Sequence, residues 1–363
     1  MIRRNEQRAL VTPSALHSVK RKHSNSNTLP PAAQESSQQP CRSDGQSGPC
    51  GRTVSQHFAS VPARTYAHAI SIFRAQFSEY GFIQPSDLER QRNLSDCDKL
   101  RLVAILAVVC RYMDEPFRQT QVEHANVVTR ELQNRLTSPP NLSLIQGFLI
   151  MALYEWGEGQ GYVAWIYAGT AVRMSQAFAA TRQEANDTEP GSMDRSLALS
   201  EVEIRTFWTC FILDKLLSCG KQRPAMMNLE DIELPLPVSD EDFAFGRRPA
   251  APITYQQLIE SLHPTSHSIP TGYHFRITVM GINIWSKIHN WVAMGGRKQS
   301  GMTEPQNCPW HQESQWSRMK QELSAWRDAQ DSRLKYSETA MAAHIHLRQG
   351  EVFAYVNLIY YLR

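Results

Sequence analysis

The sequence predicts an all-α fold, a body of many helices behind a disordered, basic N-terminal tail, and three observations carry that reading. From Val202 to Leu217 apolar side chains occupy almost every side of a 3.6-residue wheel, and a helix that is apolar all round has to be enclosed by others. Two more runs, Leu102–Cys110 and Leu142–Trp156, have the same character. Residues 1–60 are rich in Ser, Gln, Asn and Pro and hold one aromatic, Phe58, too little apolar surface to offset the entropy of ordering. The division expected is a tail over 1–62 and a helical body over 63–363.

Taking the elements in order, Tyr66, Ile70, Phe73, Phe77 and Tyr80 recur at spacings of three and four, which predicts an amphipathic helix stopped by Gly81. Ser95 and Asp98 have the spacing of a capping box, in which each side chain bonds the other residue's amide. They open the helix holding LVAILAVVC, expected to end by Pro116. Val122–Leu136 is more polar, with a stripe of Val127, Val128, Leu132 and Leu136, and reads as a surface helix. Asn141, after two prolines, is placed to cap a core helix running to Trp156. The glycines of GEGQG, residues 157–161, turn the chain into an antiparallel return over Val163–Phe178, where Ala164, Ala168, Gly169 and Ala171 allow close approach. Arg173 on this helix is expected to meet Glu155, Asp214 or a helix end. Residues 181–196 are polar and read as a loop.

Ser200 and Glu203 form a second capping box, and Gly220 and Pro224 are positioned to end the helix they open. Two charges, Arg205 and Asp214, lie deep in its apolar run, nine residues apart and therefore on opposite sides. Each needs a partner from another element, and a structural ion pair is expected for both; Lys215 can reach solvent on its long stem. Residues 220–252 carry Pro224, Pro235, Pro237 and Pro249 and the alternation IELPLP, extended chain pinned by Ile232, Leu234 and Leu236. Helices resume over Tyr273–Trp291 and Trp316–Trp326, with one long helix from Ser337 to Arg363. That last run ends apolar and uncapped, which favours a truncated chain or a missing C-terminal segment.

Composition narrows the function classes. Seven cysteines, odd in number and widely spaced, suit a reducing compartment rather than a disulfide framework. The basic start MIRRNEQR is not followed by the apolar stretch of a secretory signal, and the apolar runs fall short of the ~18 residues of a membrane span. Residues 1–60 hold eight Lys and Arg against three acids, while the formal net charge of the whole chain is +3, so the body is slightly acidic. Any electrostatic case for nucleic acid rests on the tail. Within it Lys20, Arg21 and Lys22 make a short basic cluster, readable as a nuclear import signal or a weak phosphate contact.

Catalytic and metal motifs are wanting. There is no CxxC; Cys308 with His311, and His344 with His346, stand isolated, so no zinc or other metal site is expected. GEGQG lacks the preceding strand and GK[ST] of a phosphate loop. An isoprenoid-synthase reading would need paired aspartates on a cavity-lining helix, and the nearest acidic run, Asp240–Asp242, falls in the proline-rich connection. No enzyme activity is expected.

Three blocks, LRLVAILAVVCRYM (100–113), SLIQGFLIMALYEWGEGQGYVAWIYAGTAVRMSQAF (143–178) and EIRTFWTCFILDKLLSCGKQRPAMM with DIELPLP (203–237), resemble in order and spacing the middle homology region of fungal zinc-cluster transcription factors. The resemblance implies an all-helical regulatory domain without catalytic residues and places Arg205, Phe207, Trp208, Asp214, Arg223 and Pro224 in the family's signature as architecture. It also implies a nuclear regulator of a secondary-metabolite or nutrient-use gene set. The partners it implies are DNA, through the basic tail or a DNA-binding partner protein, the transcription machinery, and a second copy of the chain. The family's six-cysteine zinc cluster is lacking, since only Cys41 and Cys50 precede the body. The alternative is a ligand-binding or protein-interaction module with no direct DNA role, its effector held near Trp156, Trp165 and Trp208.

Overall fold

The capped helix starts marked in the sequence are helix starts in the computed structural model, which describes residues 52–77, 80–84, 93–188, 199–219, 223–247, 252–261, 273–347 and 349–361. Thirteen α-helices form among these residues, with one isolated β-bridge and no strand. Ser95 and Ser200 each accept from the amide three residues on, and the Asp98 and Glu203 carboxylates reach back to close both capping boxes. Asn141 takes the amides of Ser143 and Leu144.

Helices α1 (Val54–Ser60), α2 (Ala63–Gln76), α3 (Asp96–Val109), α4 (Phe117–Asn134), α5 (Leu142–Gly157) and α6 (Gly161–Thr188) build the first half. α3 is its hub, packed on α1, α2, α4 and α5, and Leu102 to Cys110 are buried without a gap. α5 and α6 form the expected hairpin; Gly159 turns it at φ +77°, and Ala164, Ala168 and Ala171 are fully enclosed. α7 (Glu201–Leu217) lies against α5 and α6 on one side and α10 (His274–Ala293) on the other, so it joins the two halves. Short helices α8 (Asp240–Ala244) and α9 (Tyr255–Ser261) precede α10, and α11 (Gln315–Asp328), α12 (Glu338–His346) and α13 (Gly350–Tyr361) complete the second half. Gly281 of α10 is required where it stands: a Cβ there would fall 2.5 Å from the Trp326 ring.

Several expectations are corrected. Helix α1 forms inside the stretch read as tail, because Thr53 and Gln56 make a capping box and Val54 and His57 are buried. The residues before 52, with Lys20, Arg21, Lys22, Cys41 and Cys50, lie outside the described ones. α2 ends at Gln76, where Phe77 leaves helical geometry; Tyr80 is buried beyond its end. α3 stops six residues short of Pro116, which instead sits at the start of α4. α6 runs to Thr188, through residues read as loop. The last helix is two: α12 closes as the Gln349 amide bonds the His344 carbonyl, and Gly350 opens α13.

One buried contact had no sequence signal. His57 Nε2 and His124 Nδ1 are 2.7 Å apart in the interior, tying α1 to α4, with the Glu123 carboxylate 3.8 Å from His57 Nδ1 and Arg52 beside it. Burial holds both imidazoles below the ordinary value, His124 to about 4. The unfolded chain therefore binds protons more readily than the folded one as pH falls from about 6.5, and stability is lost on acidification through that window. The urea midpoint is expected to fall between about pH 7 and about pH 5. His57→Leu with His124→Leu should flatten that dependence, and an unaltered slope in the double variant would show that the pair contributes none of it.

The candidate regulatory site along helix 7

The proline-rich chain after α7 turns back and runs antiparallel along it, and four α7 side chains catch successive peptide groups of this strap. Asp214 accepts from the Met226 and Met227 amides at 2.9 Å each, with a second Met226 contact at 3.1 Å. Trp208 Nε1 donates to the Pro235 carbonyl at 2.8 Å. Arg205 Nη2 donates to the Val238 carbonyl at 2.9 Å, and the Val238 amide donates to Glu201 Oε1 at 2.9 Å. From α10, Arg276 Nε donates to the Pro237 carbonyl. Proline suits this arrangement because it has no N–H to leave unpaired while its carbonyl remains free to accept.

Arg205 is only 2% exposed. Its Nε pairs with Glu201 on the preceding turn at 3.1 Å, its Nη1 with Asp240 at 3.0 Å and the Gly81 carbonyl at 3.2 Å, and its plane lies over the Phe243 ring at 4.1 Å. Burial pushes the Glu201 carboxyl above its usual range, and the Arg205 charge opposes that shift. The ion pair expected for Arg205 exists, one partner being on its own helix at the i,i+4 spacing, a signal the sequence does contain.

The expectation for Asp214 is corrected. Among the described residues no cation bonds it; it is held by two backbone amides, and burial outweighs them in raising its pKa. Arg173 instead donates to Gln176 at 3.1 Å on an exposed face. Lys215 does not reach solvent: it is 7% exposed, its ammonium 5.3 Å from the Phe211 ring centroid, and burial lowers its pKa against the pull of Asp214. Phe207 packs edge-on against Trp208. Arg223 lies beside Gly161 at the start of α6, and the Pro224 carbonyl takes the Ser218 hydroxyl at 3.4 Å. Gly220 lies outside the described residues.

Between residues 201 and 214 the helix advances about 20 Å, whereas the twelve residue steps from 226 to 238 could extend roughly 40 Å. The slack is taken up in a bow through the 3-10 turn Leu229–Asp231, whose Leu229 is buried, and between the bow and helices α6 and α7 is a cavity of about 720 Å³. Phe207 lines it; Trp156, Trp165 and Trp208, near which an effector was expected, do not. Trp208 is fully buried and Trp156 is 44% exposed.

Asp240 is committed to Arg205, and Asp242 takes the Ser239 hydroxyl at the start of α8. Among the described residues no three His, Cys, Asp or Glu converge on a point. The zinc cluster of the resemblance does not fit here: Cys110 and Cys210 are core residues, Cys210 with its thiol pushed up to about 12 by burial. No helix among the described residues is long and apolar enough to cross a membrane.

A strap latched along a buried helix lies wholly within residues 65–328, which match the fungal specific transcription factor domain. The chain belongs to that family. It is similar to two Schizosaccharomyces pombe proteins described as uncharacterized transcriptional regulatory proteins, 26% identical over 230 residues and 27% over 237. Each match takes in 61% of this chain, but 23% and 33% of the relatives. A Zn(2)-C6 fungal-type transcription factor of Fusarium oxysporum f. sp. lycopersici is 28% identical over 178 residues, 45% of this chain and 18% of its own. The chain thus spans a third or less of these relatives. No solved structure matches.

Removing the Arg205 guanidinium leaves Glu201 buried without its cation, so Arg205→Ala should lower stability by about 3 to 5 kcal/mol in urea titration. Arg205→Lys should recover little, since a point charge cannot serve several acceptors at once. Asp214→Ala orphans two amides and should cost about 3 kcal/mol, with Asp214→Asn costing roughly half. Equal stability of Asp214→Ala and the parent chain would show that the amides find water instead.

Proposed function

We propose that this chain is a nuclear transcriptional regulator that controls a secondary-metabolite biosynthetic or nutrient-use gene set and acts without catalysis of its own. The observation that carries the reading is the transcription factor domain across 65–328, in company with relatives named as transcriptional regulators. In this reading the helical body is the regulatory domain. Arg205, Phe207, Trp208, Asp214, Arg223 and Pro224 serve its architecture, and Lys20, Arg21 and Lys22 direct nuclear import. DNA is reached through the basic tail or through a partner protein that supplies the base-reading module, and the domain meets the transcription machinery or a second copy of itself.

A second reading, favoured by the cavity beneath the strap, is that the domain is an effector-binding module. It requires no direct DNA contact by this chain.

The full chain fused to a heterologous DNA-binding module should change reporter transcription several-fold over the module alone; unchanged output would overturn the regulatory assignment. In gel shifts the unfused chain should bind DNA without sequence preference and weaken steeply as salt is raised. Tight, sequence-selective binding that persists at raised salt would refute the partner-dependent version. Alanine at Lys20, Arg21 and Lys22 should move a fluorescent fusion out of the nucleus.

A further inference from the structure

The cavity beneath the strap has the dimensions of a small-molecule site, about 720 Å³ against the roughly 300–1,000 Å³ usual for such pockets. Its inner wall is apolar, with Ile204 and Phe207 from α7 and Met227 and Leu236 from the strap. Its charged groups are uneven. Three carboxylates line it, Glu201, Asp231 and Glu233, against one cation among the described residues, Arg182. Arg182 is already bound to Glu203 at 2.7 Å, so its charge is spent within the protein. Glu201 is likewise engaged with Arg205 at the inner end. Asp231 and Glu233 are both exposed, and Asp231 accepts from the Asn228 side-chain amide at 3.2 Å. They are exposed at the edge of the cavity, and among the described residues that line it no cation is paired with them.

We propose that this cavity binds a small amine, with a hydrocarbon or aryl body under the strap and a protonated nitrogen at the Asp231–Glu233 rim. The inference rests on the effector-binding reading and gives it a ligand class. Apolar burial would supply most of the affinity, and the rim would supply the choice of head group, since an anion with the same body would meet like charge. The site is tied to the domain's architecture: its outer wall includes Asn228 and residues 231–234, between the Asp214 and Trp208 attachments, so an occupant bears on a stretch of strap that no α7 side chain hydrogen-bonds.

Three probes that share one body and differ in head group test it on the full chain: 4-phenylbutylamine, 4-phenylbutanol and 4-phenylbutyrate, followed by calorimetry and thermal melting. The amine is expected to bind one to one and at least about tenfold more tightly than the carboxylate. Leu234→Trp, which sets a larger ring in the cavity wall, should weaken binding of all three. Asp231→Asn with Glu233→Gln should spare the alcohol and erase the preference for the amine. Both rim positions are exposed, so this pair decides the matter if Leu234→Trp does not fold. Carboxylate binding as tight as the amine's and weakened in Leu234→Trp would overturn the ligand class and leave the effector reading standing. No saturable binding by any of the three, or binding unaffected by both variants, would overturn the site itself. The reporter assay is independent of these results.

Discussion

A single guanidinium, that of Arg205, is the constraint on which the rest of the domain depends. An arginine enclosed to this degree is tolerable only if its charge and its donors are met, and here they are met by parts of the chain far apart in sequence. Glu201 lies on the same helix, Asp240 on α8, the Gly81 carbonyl after α2, and the Val238 carbonyl on the strap. The rings of Phe243 and Phe275 add α8 and α10. One fork with fixed geometry therefore sets how five segments meet, a task that the flexible point charge of a lysine cannot perform.

The strap is the element that this arrangement makes possible. Its carbonyls at Pro235, Pro237 and Val238 are taken by Trp208, Arg276 and Arg205, and its Met226 and Met227 amides by Asp214. Because Arg276 belongs to α10, the same segment is fastened to both halves of the domain. The second half has a smaller knot of the same kind, where Arg327 of α11 donates to Asn357 of α13 at 2.6 Å and to Gln330. Polar groups here fix which elements dock, while apolar burial around α3, α5 and α7 supplies the driving force.

Much of the helical plan was legible because the signals that start helices are local. Ser95, Asn141 and Ser200 act through residues two or three positions away, and apolar runs such as Leu102–Cys110 can hardly be anything but core. Contacts made across the fold were not legible. Asp214 looked like half of an ion pair because sequence displays side-chain charge and conceals which backbone amides will converge. Lys215 looked able to reach solvent because stem length is visible and the covering chain is not. The His57–His124 contact spans 67 positions and has no pattern in either helix. The cavity follows from a mismatch in length between a helix and the chain beside it, which no composition reveals. Glu201–Arg205 was the one site contact readable from spacing alone.

The strap's fastening uses mostly its own backbone atoms, and that separates two kinds of information in the gene. The residues that hold the bow in place are encoded in helices α7 and α10, while the residues that give its inner surface shape and charge are encoded in the bow. Codon changes at the exposed positions 228, 231 and 233 can thus rewrite the edge of the cavity without loosening the latch, and the same latch can serve chains whose bows differ. A domain built this way can acquire a new chemical preference by drift at a few exposed positions, with its fold left as it was.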